Sequence, residues 1–141
     1  MPKVYVTRRA SFSAAHRLYN PSFSDEENWT TFGLCNNPSG HGHNYTVEVW
    51  LQGAVDDRTG YVYDLRALKE LVDDAIIRHV DHKHLNEDVD FLRDVNPTAE
   101  NLAVIFWQRL EQRVPSSFLH AVRVYESEKN FAEYRGERAD D

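Results

Sequence analysis

A histidine pair, His41-Gly42-His43, leads directly into the alternating run Tyr45-Thr46-Val47-Glu48-Val49-Trp50-Leu51. Side chains two apart on a strand project to the same face, so these imidazoles can converge on one ion. His16 closes an earlier strand-like run, and pairing of the two strands would bring it beside the pair. Three neutral imidazoles suit zinc and leave a fourth position for water or substrate; a structural zinc usually takes four protein ligands, commonly thiolates. Cys35 lies six residues before His41, across the turn-rich Asn36-Asn37-Pro38-Ser39-Gly40. Such a spacer can fold the thiol back toward the metal without making it a ligand. Near a cation the thiolate is favoured, and a thiolate can serve as general base toward a carbon acid.

Two further groups belong with this set. Asp81-His82, at the end of a helical run, pairs a carboxylate with an imidazole, which can fix the ring's tautomer and raise its basicity. Glu126 lies in an apolar strand beside Val122, Val124 and Tyr125, where a buried carboxylate needs a partner. It suits the adjacent N–H donors of an amino-pyrimidinone edge, accepting two parallel hydrogen bonds. Each piece alone has a plainer reading: a polar strand edge for the His pair, a satisfied buried imidazole for His16, an inert thiol for Cys35, helix-end capping for Asp81-His82. What favours chemistry is their concentration, with three histidines and the cysteine near one strand pair.

The elements that must position them can be read from periodicity. Val4-Tyr5-Val6-Thr7 and Ala10 to Ala14 form one long strand with an irregularity near Arg8-Arg9. Residues 20–38 are polar, hold Pro21, Gly33 and Pro38, and show no sustained period, which favours a functional loop. Tyr45 to Leu51 is the second strand, and Asp56 to Gly60 supplies a turn that returns Tyr61-Val62-Tyr63 as the other arm of a hairpin. Asp64 caps a helix whose apolar stripe is Leu65, Leu68, Val72, Ala75, Ile76 and His79. A second helix starts near Asn96-Pro97-Thr98, buries Leu102, Ile105, Phe106 and Leu110, and stops by Pro115. Residues 121–126 and 131–135 close the chain as a strand pair. The order ββααββ predicts an α+β domain over 1–141: a four-stranded antiparallel sheet with two helices on one face. The other sheet face cannot stay apolar and bare, so an oligomer that covers it or continues the edges is the natural solution.

Composition narrows the function. The chain has 141 residues, 41% hydrophobic and 28% charged, which is ordinary for a soluble domain. No apolar run approaches the roughly 20 residues of a membrane span, and the N-terminus carries no signal-peptide core, so a cytoplasmic protein with no membrane partner is expected. The formal charge of −7 argues against nucleic acid as the main partner, although residues 133–141 contribute four acids and two arginines to that balance. A single cysteine forms no intrachain disulfide.

Four separated motifs, in order and spanning nearly the whole chain, carry a family resemblance. Ala10 to Leu18 (ASFSAAHRL), Cys35 to Tyr45 (CNNPSGHGHNY), Val80 to Leu85 (VDHKHL) and Val124 to Glu126 (VYE) resemble the 6-pyruvoyltetrahydropterin synthase family. The resemblance implies the tunnelling fold, a trimeric barrel of joined sheets stacked as a homohexamer. It implies Zn2+ on His16, His41 and His43, Cys35 as general base, and Asp81 with His82 as a proton relay presented from a neighbouring subunit. It implies Glu126 as the pterin anchor, with Thr98, Ala99 and Glu100 near it. The implied substrate is 7,8-dihydroneopterin triphosphate, with triphosphate eliminated. Pro97-Thr98-Ala99-Glu100-Asn101 departs from the paired threonines of animal enzymes and is worded as in the related 6-carboxytetrahydropterin synthases of queuosine biosynthesis, which also release acetaldehyde. The five-residue spacer between Cys35 and His41 resembles the pyruvoyl branch and reshapes the pocket around the base, so it outweighs Ala99. A non-catalytic zinc- or pterin-binding member would have no need of Cys35 and His82.

Overall fold

The order of elements in the computed structural model, which describes residues 2–137, begins with a strand pair of equal length. Strands β1 (Lys3–His16) and β2 (His41–Ala54) pair antiparallel in unbroken register from Lys3↔Ala54 to His16↔His41. Strand β4 (Leu119–Tyr125) pairs with the far edge of β2, and β5 (Phe131–Tyr134) pairs with β4. A two-residue strand, β3 (Lys83–His84), lies parallel to β1, giving a sheet in the order β3-β1-β2-β4-β5.

This is an α+β fold, but the sheet has five strands and is mixed, where the sequence predicted four antiparallel ones. Strand β3 is too short for any periodicity to reveal. It is pinned by His82 N–H to the Ser13 carbonyl at 2.6 Å and Leu85 N–H to the Ala15 carbonyl at 2.8 Å. The predicted hairpin arm at Tyr61-Val62-Tyr63 is not a strand, because β2 is central and both its edges are taken by β1 and β4. The loop there closes on itself through Asp56 N–H to the Tyr61 carbonyl, at 2.9 Å. Nor is β1 irregular near Arg8-Arg9; the register shift falls in β2, at Trp50/Leu51 against β4.

Parity along the strands decides the core. Phe12 and Ala14 of β1, Tyr45, Val47, Val49 and Leu51 of β2, and Val122 and Val124 of β4 all face the helices and are buried. Phe12 stacks on Tyr45 with centroids 4.8 Å apart, an arrangement that contributes about 0.5–1.5 kcal/mol beyond area burial. Helix α2 (Leu65–Val72) is capped by Asp64, whose carboxylate accepts from Arg66 N. It continues through a π-helical stretch (Asp73–Ile77) into α3 (Arg78–Val80). Leu68, Leu71, Val72, Ala75, Ile76 and Val80 are its buried stripe, while Leu65 at the first turn is exposed. Helix α4 (Ala99–Glu111), with Thr98 as N-cap, lays Leu102, Phe106 and Leu110 on the same core. Arg109 of α4 donates to the Ala75 carbonyl at 2.6 Å and so ties the two helical layers together.

The segment read as a functional loop, 20–38, contains helix α1 (Asp25–Phe32) and a 3₁₀ turn (Gly33–Asn36). The second face of the sheet is not apolar, as had been expected, but charged and aromatic. Glu48 accepts from Trp50 Nε1 at 3.0 Å and lies 3.7 Å from both Arg9 and Arg123. Arg123 in turn pairs with Glu133 and packs over Trp50 and Phe131. Among the described residues no helix is long and apolar enough to cross a membrane, and the last four residues of the acidic tail, 138–141, lie outside that range.

Candidate metal centre

The unbroken β1–β2 register carries His16, His41 and His43 to one end of the strand pair on the helix-covered face. His16 pairs with His41, and Ala14 pairs with His43, so alternation puts all three rings on one side. The expectation from strand pairing is met: their ring centroids are 4.7–4.9 Å apart. One step beyond the Thr46↔Tyr125 pair, Glu126 comes to the same face at the end of β4. One donor atom from each of His16, His41, His43 and Glu126 lies within 4.8 Å of all the others.

His16 is fully buried, and its Nδ1 donates to the Pro97 carbonyl at 2.9 Å, with Tyr45 Oη at 3.0 Å from the same nitrogen. A carbonyl can only accept, so the proton is on Nδ1 and Nε2 presents a lone pair to the centre. That atom faces His41 Nε2 at 3.2 Å. Four ligands at about 2.0–2.1 Å in a tetrahedron have neighbours about 3.3 Å apart, so the spacing is that of two corners around one ion. His43 Nε2 is buried without a hydrogen-bond partner although Glu126 Oε1 is 3.1 Å away, at an angle that makes no hydrogen bond. Burial pushes both His16 and His43 below the ordinary imidazole value, and the neighbouring rings add to this, against the pull of Glu126. Neutral rings are what a cation requires. The donor set therefore fits a divalent transition metal of borderline softness.

Glu126, read from the sequence as a substrate anchor, thus also stands where a fourth ligand would. It lines a cleft of about 610 Å3 with His43, Ala99, Glu100, Ser127, Asn130, Phe131, Ala132 and Glu133. Thr98 is not among the lining residues; its hydroxyl accepts from Asn101 N and caps α4. Cys35 sits half-buried in the 3₁₀ turn, its carbonyl accepting from Leu18 N–H at 2.8 Å. A charge on Cys35 would reach Tyr45, whose phenol is held far above its usual range by burial first, then by Glu126 and Cys35.

Asp81 and His82 do not join them within one chain. His82 Nδ1 is 3.0 Å from Asp81 Oδ1, and Asp81 also accepts from Ser13 N at 2.9 Å, which depresses its carboxyl. The His82 side chain is 82% exposed and its backbone is left-handed, with φ 62°. Among the described residues neither makes a hydrogen bond or ion pair with Cys35 or with His16, His41 or His43. His82 instead borders a groove of about 520 Å3 with Ser13, Asn44, His43, Lys83 and His84. Sequence reasoning missed Tyr45 and Pro97, which hold His16. Tyr45 shares the parity of His43 and was within reach of that argument; the Pro97 carbonyl had no signal.

The family model described as 6-pyruvoyl tetrahydropterin synthase matches residues 5–137. Human 6-pyruvoyl tetrahydrobiopterin synthase is 49% identical over 132 residues, covering 94% of this chain and 91% of that protein. The Drosophila melanogaster protein of the same name is 46% identical over 137 residues, covering 96% and 81%. The solved structure of Caenorhabditis elegans 6-pyruvoyl tetrahydropterin synthase superposes with a TM-score of 0.91 at 44% identity, covering 96% of this chain and 97% of that one.

Proposed function

We propose a reaction for this chain on one premise: it belongs to the 6-pyruvoyl tetrahydropterin synthase family. It is a carbon–oxygen lyase that converts 7,8-dihydroneopterin triphosphate to 6-pyruvoyltetrahydropterin and releases triphosphate. The whole chain, 1–141, acts as one domain. The observation that carries the reading is the facing pair of His16 and His41 Nε2 atoms at 3.2 Å, with His43 and Glu126 completing a donor cluster next to a cleft.

His16, His41 and His43 would hold Zn2+, which when bound supplies Lewis acidity toward side-chain oxygens of the substrate and so acidifies the neighbouring C–H. Cys35, as thiolate, takes up that proton at its Sγ. Glu126 accepts two N–H donors from the amino-pyrimidinone edge of the pterin and fixes its orientation, with Ala99 and Glu100 along the same cleft wall and Thr98 holding the start of α4. With Glu126 given over to the pterin, the three imidazoles of the donor cluster would hold the ion between them. Asp81 orients His82 through the 3.0 Å contact, and His82 relays protons. The dyad is solvent-exposed and bonded to Ser13. That placement supports its delivery to the site of a neighbouring subunit in a homohexamer built as a dimer of trimers. The short edge strands, β3 and β5, leave little on either side but further strands to continue the sheet.

The test is to incubate zinc-loaded protein with 7,8-dihydroneopterin triphosphate and identify products by mass spectrometry. Triphosphate with 6-pyruvoyltetrahydropterin is the expected result. Triphosphate with acetaldehyde and 6-carboxytetrahydropterin would move the chain to the other branch, as the wording around Ala99 would have it. Absence of triphosphate would defeat both.

A further inference from the structure

The segment bearing Cys35 is tied to the residue that follows the metal ligand His16. Arg17 Nε donates to the Asn36 carbonyl at 2.9 Å and its Nη2 to Asn36 Oδ1 at 3.1 Å, so one planar guanidinium grips main chain and side chain of one residue. Asn36 is 2% exposed, and the Arg17 guanidinium is itself stacked on the Tyr19 ring at 4.2 Å. Beside the fork, Leu18 N–H holds the Cys35 carbonyl at 2.8 Å. Behind it, the Asn86 amide clips the Arg17 backbone at both ends. Arg17 N–H donates to Asn86 Oδ1 at 2.8 Å, and Asn86 Nδ2 donates to the Arg17 carbonyl at 2.9 Å.

We propose that Arg17 is the positioning residue for Cys35: its fork on Asn36, braced by Asn86, sets the distance from the thiol to the metal-ligand strand. This rests on the reading of Cys35 as the base. The geometry argues for positioning over general fold maintenance. Arg17 lies outside the buried hydrophobic core, and its fork engages only the residue after Cys35. Without it, the hydrogen bond from Leu18 N–H to the Cys35 carbonyl is the one left, among the described residues, between the strand extension and that turn. Lysine retains the charge and most of the stem but offers no planar two-point grip, so it should not substitute.

The variants are Arg17→Lys and Asn36→Ala, singly and together, measured as zinc-loaded protein. Zinc content and assembly should match the parent, KM should stay within about 3-fold, and kcat per bound zinc should fall roughly 10- to 100-fold, the scale of a small misplacement of a reacting group. The rate of Cys35 alkylation by iodoacetamide should change by about 5-fold or more. The double variant should be no worse than the poorer single, because Asn36→Ala removes only the Oδ1 half of a fork that Arg17→Lys already removes. Unchanged kcat per zinc, unchanged alkylation, or multiplied losses in the double variant would overturn the proposal. So would a loss confined to zinc content. If Arg17→Lys accumulates only as insoluble protein, Asn36→Ala decides on the same kcat and alkylation readings. Should the parent release no triphosphate, the assigned reaction fails, while the alkylation rates still judge the clamp.

Discussion

Gly40 occupies a left-handed backbone position, φ 75°, at the end of the turn that delivers His41 to the metal centre. A Cβ there would lie 2.9 Å from His84 Nε2 and 3.1 Å from the His16 carbonyl oxygen. Replacing it by alanine therefore has two separable costs. The left-handed conformation itself costs an L-residue about 1–2 kcal/mol. The contact with a backbone carbonyl of the ligand strand cannot be relieved by a rotamer change, and overpacking of this kind costs about 1–3 kcal/mol. The sum is roughly 2–5 kcal/mol. Gly60 supplies the control, since its φ is 77° and no atom lies within 4 Å of a built Cβ. Gly60→Ala should show the conformational cost alone. The assay is urea unfolding of the zinc-free protein for both variants, with zinc content of the loaded forms by elemental analysis. Gly40→Ala should be the less stable by about 1–3 kcal/mol and should alone lose zinc, because its strain falls on the His16–His41 segment. Equal midpoints for Gly40→Ala and Gly60→Ala, with full zinc in both, would refute the reasoning.

Other outcomes follow from the same geometry. Cys35→Ala should retain zinc and assembly yet lose about 100-fold or more in kcat, as removal of a general base does; full activity would take Cys35 out of the mechanism. His41→Ala should lose the metal outright, since it removes one of two facing Nε2 donors, and chelation of the parent should abolish turnover reversibly; activity that survives exhaustive chelation counts against a metal role. Stability of the zinc-free protein should depend on the two depressed imidazoles. An unfolded histidine takes a proton near 6.5, while His16 and His43 resist it until a lower pH because burial disfavours the charged ring. Below 6.5 the unfolded chain therefore binds more protons, so stability is full above that value and declines as pH falls toward the folded values. A urea midpoint that is flat or rising between pH 7.5 and 5.5 would contradict this.

The legible part of the molecule was the part governed by strand parity. His41 and His43 are two apart, so any strand register puts them on one face, and the proximity of His16 needed only that β1 and β2 pair at their ends. The cap at Asp64 was equally readable, since a short polar side chain ahead of an apolar period has one common use, whereas the second helix starts at Ala99 with Thr98 as its cap, which leaves Pro97 ahead of the first turn. What escaped was structure whose cause is not periodic. Helix α1 has a polar composition and no buried stripe beyond Asn28, so no apolar period betrays it. Its one signal was Ser24 followed three residues later by Glu27, the pattern of a capping box, and Ser24 Oγ does accept from Glu27 N–H at 3.1 Å. The failed hairpin arm at Tyr61 had local turn chemistry in its favour and lost to tertiary competition, because β4 already held the edge of β2.

The same distinction explains why the site divides as it does. The three clustered imidazoles lie on paired strands held by continuous ladder hydrogen bonds, so their spacing is inherited from the sheet and needs few dedicated supports. Pro97 and Tyr45 on His16 are such supports. Cys35, the proposed base, would have to approach substrate atoms that arrive from outside, and it sits on a turn, where no ladder fixes it and side-chain ties must do so. Arg17, Asn36 and Asn86 are those ties. The Asp81–His82 dyad goes further, just ahead of a two-residue edge strand and with the imidazole in solvent. If His82 is the proton relay proposed above, a group left so open in one chain would gain its partners only when another surface closes over it. Assembly and proton relay would then be one requirement: a monomeric variant that keeps zinc and Cys35 in place should still turn over poorly.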